Sequence, residues 1–149
     1  MEHRNMLLVE DNPDDEELTL RAFRKSQPTQ TIAVVRDGAE ALDYLWSTGA
    51  YAARLAYLPP AVVLLDIKLP KISGLEVLRR LRAAAPTRLL PVVILTSSRE
   101  EHDLIMSYRL GANSHIVKPV EFDKFTHAVG QLGMYWTVLN ESFPWREGR

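Results

Sequence analysis

Three carboxylates, a hydroxyl and an amine stand at the ends of apolar runs in this chain, and together they outline a site for metal-assisted phosphoryl chemistry. The acids are Glu10 and Asp11 after "MLLV", and Asp66 after "AVVLL"; Thr96 closes "PVVIL", and Lys118 follows "SHIV". Crowded carboxylates repel one another and raise a pKa unless a cation sits among them. Oxygen ligands with room left for water suit Mg²⁺. Beside such an ion and the Lys118 ammonium, Asp66 is a candidate nucleophile toward phosphorus, where catalysis needs mainly positioning and charge neutralisation. Lys118 and Mg²⁺ would share the phosphoryl charge, the Thr96 hydroxyl would bond a remaining oxygen, and the small Ser97 would leave the site open. Singly, each residue has a plainer reading: a turn-capping aspartate, helix-start acids, a β-branched strand residue, a loop lysine. Their joint placement decides for the site.

That placement depends on the elements. Pro59 and Pro60 open "AVVLLD", an unbroken apolar run of the kind found in strands buried on both faces. Met6 to Val9, "TIAVVR", "PVVILTS" and "SHIVK" are the other predicted strands. "NPDDEELTLRAFRKS" predicts a helix with Asn12 as N-cap, Pro13 at its first position and acids in its first turn. "DGAEALDYLWSTG" is a second helix, with Leu42, Leu45 and Trp46 inward. "SGLEVLRRLRAAAP" is a third, apolar at Leu75, Leu78 and Leu81, with Arg79, Arg80, Arg82 and Arg88 read as a solvated face. Ser98 with Glu101 predicts a capping box for a fourth helix through Leu110. A longer last helix is expected from about Glu121 to Asn140. Five strand–helix alternations argue for an α/β fold, a parallel sheet covered on both faces. Ligands of such sheets sit outside the carboxyl ends of the strands, where the five site residues fall. The long connection from Thr48 to Pro60 carries Tyr51, Leu55, Tyr57 and Leu58, which predict that it packs down.

The chain has 149 residues, 46% hydrophobic and 25% charged, which describes one folded domain over 1–149 with 134–149 as an aromatic extension. A net charge of -1 gives no electrostatic case for nucleic acid or an anionic membrane surface. Zero cysteines exclude disulfides and thiolate metal sites and fit a reducing compartment. No segment reads as a signal peptide or membrane span, so the expected location is cytoplasmic. The "GxxxxGK" phosphate loop is absent.

The pieces "LLVEDNPDD", "LLDIKLPKISG", "VVILTSS" and "GANSHIVKP" stand in the order and spacing of a response-regulator receiver domain, which the sequence resembles from residue 5 to about 130. The resemblance implies the flavodoxin-like strand order 2-1-3-4-5 with five helices. It places the phosphoacceptor on Asp66, the metal-binding acids on Glu10 and Asp11, and the hydroxyl and lysine on Thr96 and Lys118. It adds the Lys68 backbone carbonyl as a metal ligand and implies a cis peptide between Lys118 and Pro119. The family's switch position falls on His115, usually aromatic; a structural histidine and a switch are equally good readings there. Lys68 departs from the smaller or neutral side chain common two residues after the phosphoacceptor, which bears on phosphoryl lifetime. "VEDNPDD", the loop "STGAYAARLAYLPP", "LPK" and the tail "GMYWTVLNESFP" are similar to single-domain regulators that partner phytochrome kinases.

The implied function is a phosphoacceptor switch in a two-component system, fed by a sensor histidine kinase and read through protein contact or onward phosphotransfer. It is not an enzyme beyond assisting its own phosphorylation and dephosphorylation. Two alternatives stay open: a metal-dependent phosphatase with an aspartyl nucleophile, which Lys68 disfavours by occupying the place of a second acid, and a non-phosphorylated receiver-like scaffold. Phe122, Phe125, Val129, Leu132, Trp136 and Leu139 form an apolar stripe at three- and four-residue steps. Beyond Gly133 that stripe overruns the sheet, so Tyr135, Trp136, Val138 and Leu139 predict a homodimer interface.

Overall fold

Strand residues here bury both faces of one sheet, and that burial fixes the architecture. The computed structural model describes residues 5–54, 59–118 and 121–145. Strands β1 (Met6–Val9), β2 (Ile32–Val35), β3 (Val62–Leu65), β4 (Val92–Thr96) and β5 (Ser114–Val117) form one parallel sheet ordered β2-β1-β3-β4-β5. Pairing runs Met6 to Ile32 and Val62, Leu65 to Ile94, and Ile94 to His115. The order reverses between β1 and β3, so the ends of those two strands open beside each other.

Alternate residues serve opposite faces, as the two-residue period of a strand requires. Met6, Leu8, Val62, Leu64, Val93 and Leu95 pack with Phe23 of helix α1 (Pro13–Ser26) and with Phe125, Val129 and Leu132 of α5 (Phe122–Met134). Leu7, Val9, Val63, Leu65, Val92 and Ile94 pack with Leu42 and Leu45 of α2 (Gly38–Trp46) and Leu78 and Leu81 of α3 (Gly74–Ala83). Helix α4 (Glu101–Arg109) lies between α3 and β5 in the chain's second half. Asn12 caps α1 by accepting from the Asp14 and Asp15 N–H groups, and Pro13 opens the helix as expected.

Several local expectations change. Ser98 and Glu101 form no capping box: Glu100 holds the N-cap place without a side-chain bond, and the Ser98 hydroxyl goes to Asp103. The arginine face is not uniformly solvated. Arg79 and Arg80 pair with Glu76 at the surface, but Arg82 is half-buried and donates to the carbonyls of Gly111, Thr87, Arg88 and Leu90 and to Asn113 Oδ1. A guanidinium with five donors in a fixed fork suits this gathering of loop carbonyls. In the connection after α2, Tyr51 packs edge-on against Tyr44 and donates to Glu40; Leu55, Tyr57 and Leu58 lie outside the described residues.

The last helix is extended, as predicted, but not uniformly α. After Met134 the backbone widens to a π turn over Tyr135–Leu139. There the Thr137 hydroxyl takes the Gly133 carbonyl at 2.6 Å, and the Asn140 N–H reaches back five residues to Tyr135. Gly130 and Gly133 let α5 pack closely on α1: a Cβ on Gly133 would displace the end of the Gln27 side chain, and one on Gly130 would crowd Ser26.

Candidate phosphoryl and metal site

Two backbone bonds set the floor of the site. The Glu10 N–H donates to Val35 and the Asp66 N–H to Val9, so both residues continue the sheet pairing one step past their strands. The Lys118 N–H does the same toward the Thr96 carbonyl. Glu10, Asp66, Thr96 and Lys118 are all buried there, while Asp11 is exposed. Gly74 lets α3 approach from below, since any Cβ would overlap the Asp66 carbonyl.

The Lys118 ammonium is the centre. Its Nζ lies 2.5 Å from Glu10 Oε1, 3.1 Å from Asp15 Oδ2 and 3.2 Å from Asp66 Oδ2. The other oxygens have backbone donors: Lys68 N–H to Asp66 Oδ1 at 3.2 Å, and Asn12 N–H to Glu10 Oε2 at 3.3 Å. Burial pushes the Glu10 carboxyl up to about 7 against the opposing pull of Lys118. For Lys118, burial acts downward, but the Glu10 bond and the Asp66 and Glu10 charges outweigh it and hold the ammonium above the ordinary lysine range. Lys118 therefore stays an ammonium, and burial makes Glu10 a weaker acid than an ordinary glutamate.

Glu10, Asp11 and Asp66 each offer an oxygen within 4.8 Å of the others. Together with Lys118 they carry a formal charge of -2, three carboxylates against one ammonium. Hard oxygen donors in this number, one of them open to solvent, fit Mg²⁺ with water completing its shell. The contact found for Lys68 is its N–H on Asp66 Oδ1, and its side chain is exposed. Pro119 and the peptide before it lie outside the described residues.

Thr96 is fully buried, and its Oγ1 accepts from the Ser98 N–H at 3.2 Å. His115 sits half-buried with Nδ1 2.9 Å from the Ser107 hydroxyl. That hydroxyl already donates to the Leu104 carbonyl, so His115 carries its proton on Nδ1 and donates to Ser107. Burial lowers the histidine pKa, with the Asp103 charge opposing. Sequence reasoning missed Asp15, hidden among helix-start acids, and the Ser98–Asp103 pair, hidden behind an apparent capping box. Of the four tail residues singled out, Tyr135, Val138 and Leu139 are exposed, whereas Trp136 is half-buried against the α1–α5 core.

Comparison with known proteins agrees with this geometry. A family model described as "Response regulator receiver domain" matches residues 6–130. The probable methanogenesis regulatory protein FilR2 of Methanothrix harundinacea is 39% identical over 92% of this chain and 86% of its own length. Response regulator Rcp1 of Synechocystis is 32% identical, over 88% and 87%. A solved Mn²⁺-bound form of Rcp1 superimposes with a TM-score of 0.84 at 30% identity, over 95% of this chain and 99% of that one. The phosphorylated cyanobacterial phytochrome response regulator RcpA gives 0.86 at 34% identity, over 96% and 99%. The bacteriophytochrome response regulator AtBRR gives 0.76 at 56% identity, over 95% and 100%. A matched family model over most of the chain, five parallel strands in the order 2-1-3-4-5 and an acidic cluster at their carboxyl ends identify the chain as a response regulator receiver of two-component signalling, related to the phytochrome response regulators.

Proposed function

We propose that Asp66 accepts a phosphoryl group from the phosphohistidine of a sensor histidine kinase and that the acyl phosphate changes the protein's binding surface. The observation that carries this reading is the buried Lys118 ammonium shared by Glu10 and Asp66 at the carboxyl edge of the sheet. An Asp66 carboxylate oxygen attacks phosphorus in line, the new P–O bond forms as the P–N bond breaks, and the imidazole departs with the electron pair. The Lys68 N–H on Asp66 Oδ1 leaves Oδ2, on the lysine side, to present to phosphorus. Lys118 neutralises charge on one phosphoryl oxygen, and the Thr96 hydroxyl, whose oxygen accepts the Ser98 N–H, donates its own proton to another. Glu10, Asp11, Asp66 and the Lys68 carbonyl would hold Mg²⁺, which supplies the remaining neutralisation of carboxylate and phosphoryl oxygens.

The kinase is proposed to be of the phytochrome class, because the phytochrome response regulators AtBRR and RcpA align over nearly the whole chain. Signalling by contact in the cytoplasm, through a homodimer that uses Tyr135, Val138 and Leu139 with Trp136 as their support, is proposed from their exposed apolar surface. The phosphatase reading fares worse: Lys68, exposed and cationic, stands where a second catalytic acid is needed. Labelled acetyl phosphate tests the proposal. Wild type should label with Mg²⁺ and lose labelling with a chelator, and Asp66→Asn should not label; equal early labelling of the variant would end it.

A further inference from the structure

Three acids crowd the first turn of α1, and the helix dipole is sufficient reason for such acids in general. They are not equivalent here. Asp14 is exposed. Glu16 is engaged elsewhere, in a two-pronged pair with Arg36 at 2.9 and 3.0 Å. Asp15 reaches the site instead: its Oδ2 lies 3.1 Å from Lys118 Nζ, in a side chain 35% exposed beside one that is 6% exposed. The Asn12 cap fixes the backbone beneath it by accepting the Asp15 N–H at 3.0 Å.

An ammonium has three protons. Glu10, Asp15 and Asp66 take all three. Resting on the function proposed above, these partners divide by fate. An Asp66 oxygen becomes the bridging oxygen of the acyl phosphate on phosphorylation, and Glu10 belongs to the metal cluster. Asp15 belongs to neither. We infer that Asp15 is a positioning residue for phosphoryl transfer: it anchors the Lys118 ammonium from α1, so that one donor swings to the phosphoryl group while the nitrogen stays in place. A charge-assisted bond to a buried lysine is short-ranged and strong. The opposing effect, repulsion of an incoming phosphodonor, acts from a partly exposed carboxylate whose charge Lys118 offsets, and it is screened by solvent. The anchor therefore outweighs the repulsion.

Full-length wild type, Asp15→Ala, Asp15→Asn and Asp15→Glu are compared by two readouts. In ¹⁵N NMR of lysine side chains, the Lys118 ammonium should be protected from water exchange in wild type, unprotected in Asp15→Ala and largely restored in Asp15→Glu. With saturating Mg²⁺ and acetyl phosphate, Asp15→Ala should label on the order of tenfold more slowly, with unchanged Mg²⁺ affinity, and Asp15→Glu should recover most of the rate. Asp15→Asn, which keeps the side chain's shape, should fall between and controls for misfolding. An Asp15→Ala protein that labels as fast as wild type or faster, or retains the protected Lys118 signal, overturns the inference. If wild type itself fails to label, the phosphoacceptor reading falls, and the ammonium exchange alone decides whether Asp15 is the anchor.

Discussion

Ser98 donates a 2.6 Å hydrogen bond from its hydroxyl to the buried carboxylate of Asp103, while its own N–H donates to Thr96 Oγ1 at 3.2 Å. One residue thus fastens the first turn of α4 to the hydroxyl at the end of β4. On the proposed phosphorylation of Asp66, a movement of Thr96 toward a phosphoryl oxygen would pull on that fastening, and α4 is the element that would feel it.

Replacing Asp103 by Ala strands the Ser98 hydroxyl and should destabilise the protein by about 1–3 kcal/mol. Urea unfolding at neutral pH measures it. A loss within error of zero would mean that the Ser98–Asp103 bond is already satisfied by water.

Thr96→Ala should still accept phosphate on Asp66 but should not transmit it. Hydrogen exchange in α4, with and without acetyl phosphate, is the measurement. Wild type should show a phosphorylation-dependent change and Thr96→Ala none; a labelled variant whose α4 responds normally removes Thr96 from the switch.

The histidine gives a pH signature. Burial holds the His115 pKa below its ordinary 6.5, with the Asp103 charge only partly opposing. The unfolded chain then binds the proton more tightly than the folded one. The stability contribution is complete above about 6.5 and is lost as pH falls below it. His115→Phe should flatten this part of the stability–pH curve, by denaturant midpoints on either side of that pH. Parallel curves for the two proteins would assign the dependence elsewhere.

Val138 and Leu139 are 64% and 68% exposed, and Met134, Tyr135 and Phe143 add to the same segment. Light scattering should therefore report a dimer for the full chain and a monomer for a truncation after Asn140 carrying Val138→Glu and Leu139→Glu. A monomeric full-length protein at micromolar concentration ends the idea. Trp136 is best left unaltered in this test, because it supports the α1–α5 core.

Much of this was legible in the sequence because it depends on short-range patterns. "AVVLLD" reads as a doubly buried strand with a carboxylate at its tip, and Val62–Leu65 with Asp66 is what forms. That Glu10, Asp66, Thr96 and Lys118 fall at the carboxyl ends of parallel strands is also legible, whereas the order 2-1-3-4-5, in which Lys118 meets Glu10 and Asp66, comes from the family resemblance. What the pattern hides is tertiary. Arg82 sits among surface arginines in the helix period, and only the packing of the Gly111 turn against α3 turns it into a half-buried brace. Asp15 looks like its neighbours until β5 delivers Lys118 from 103 residues away. Ser98 satisfies a capping rule on paper, but a buried carboxylate two residues beyond Glu101 is the stronger acceptor.

The central claim is that Asp66 alone carries the phosphoryl group. Borohydride reduction of the protein after incubation with Mg²⁺ and acetyl phosphate converts an aspartyl phosphate to homoserine, which peptide mass spectrometry locates. Homoserine at position 66, and at no other aspartate, is the predicted result. Homoserine at Asp11 or Asp15, or a phosphoryl group found only on a histidine, would contradict it.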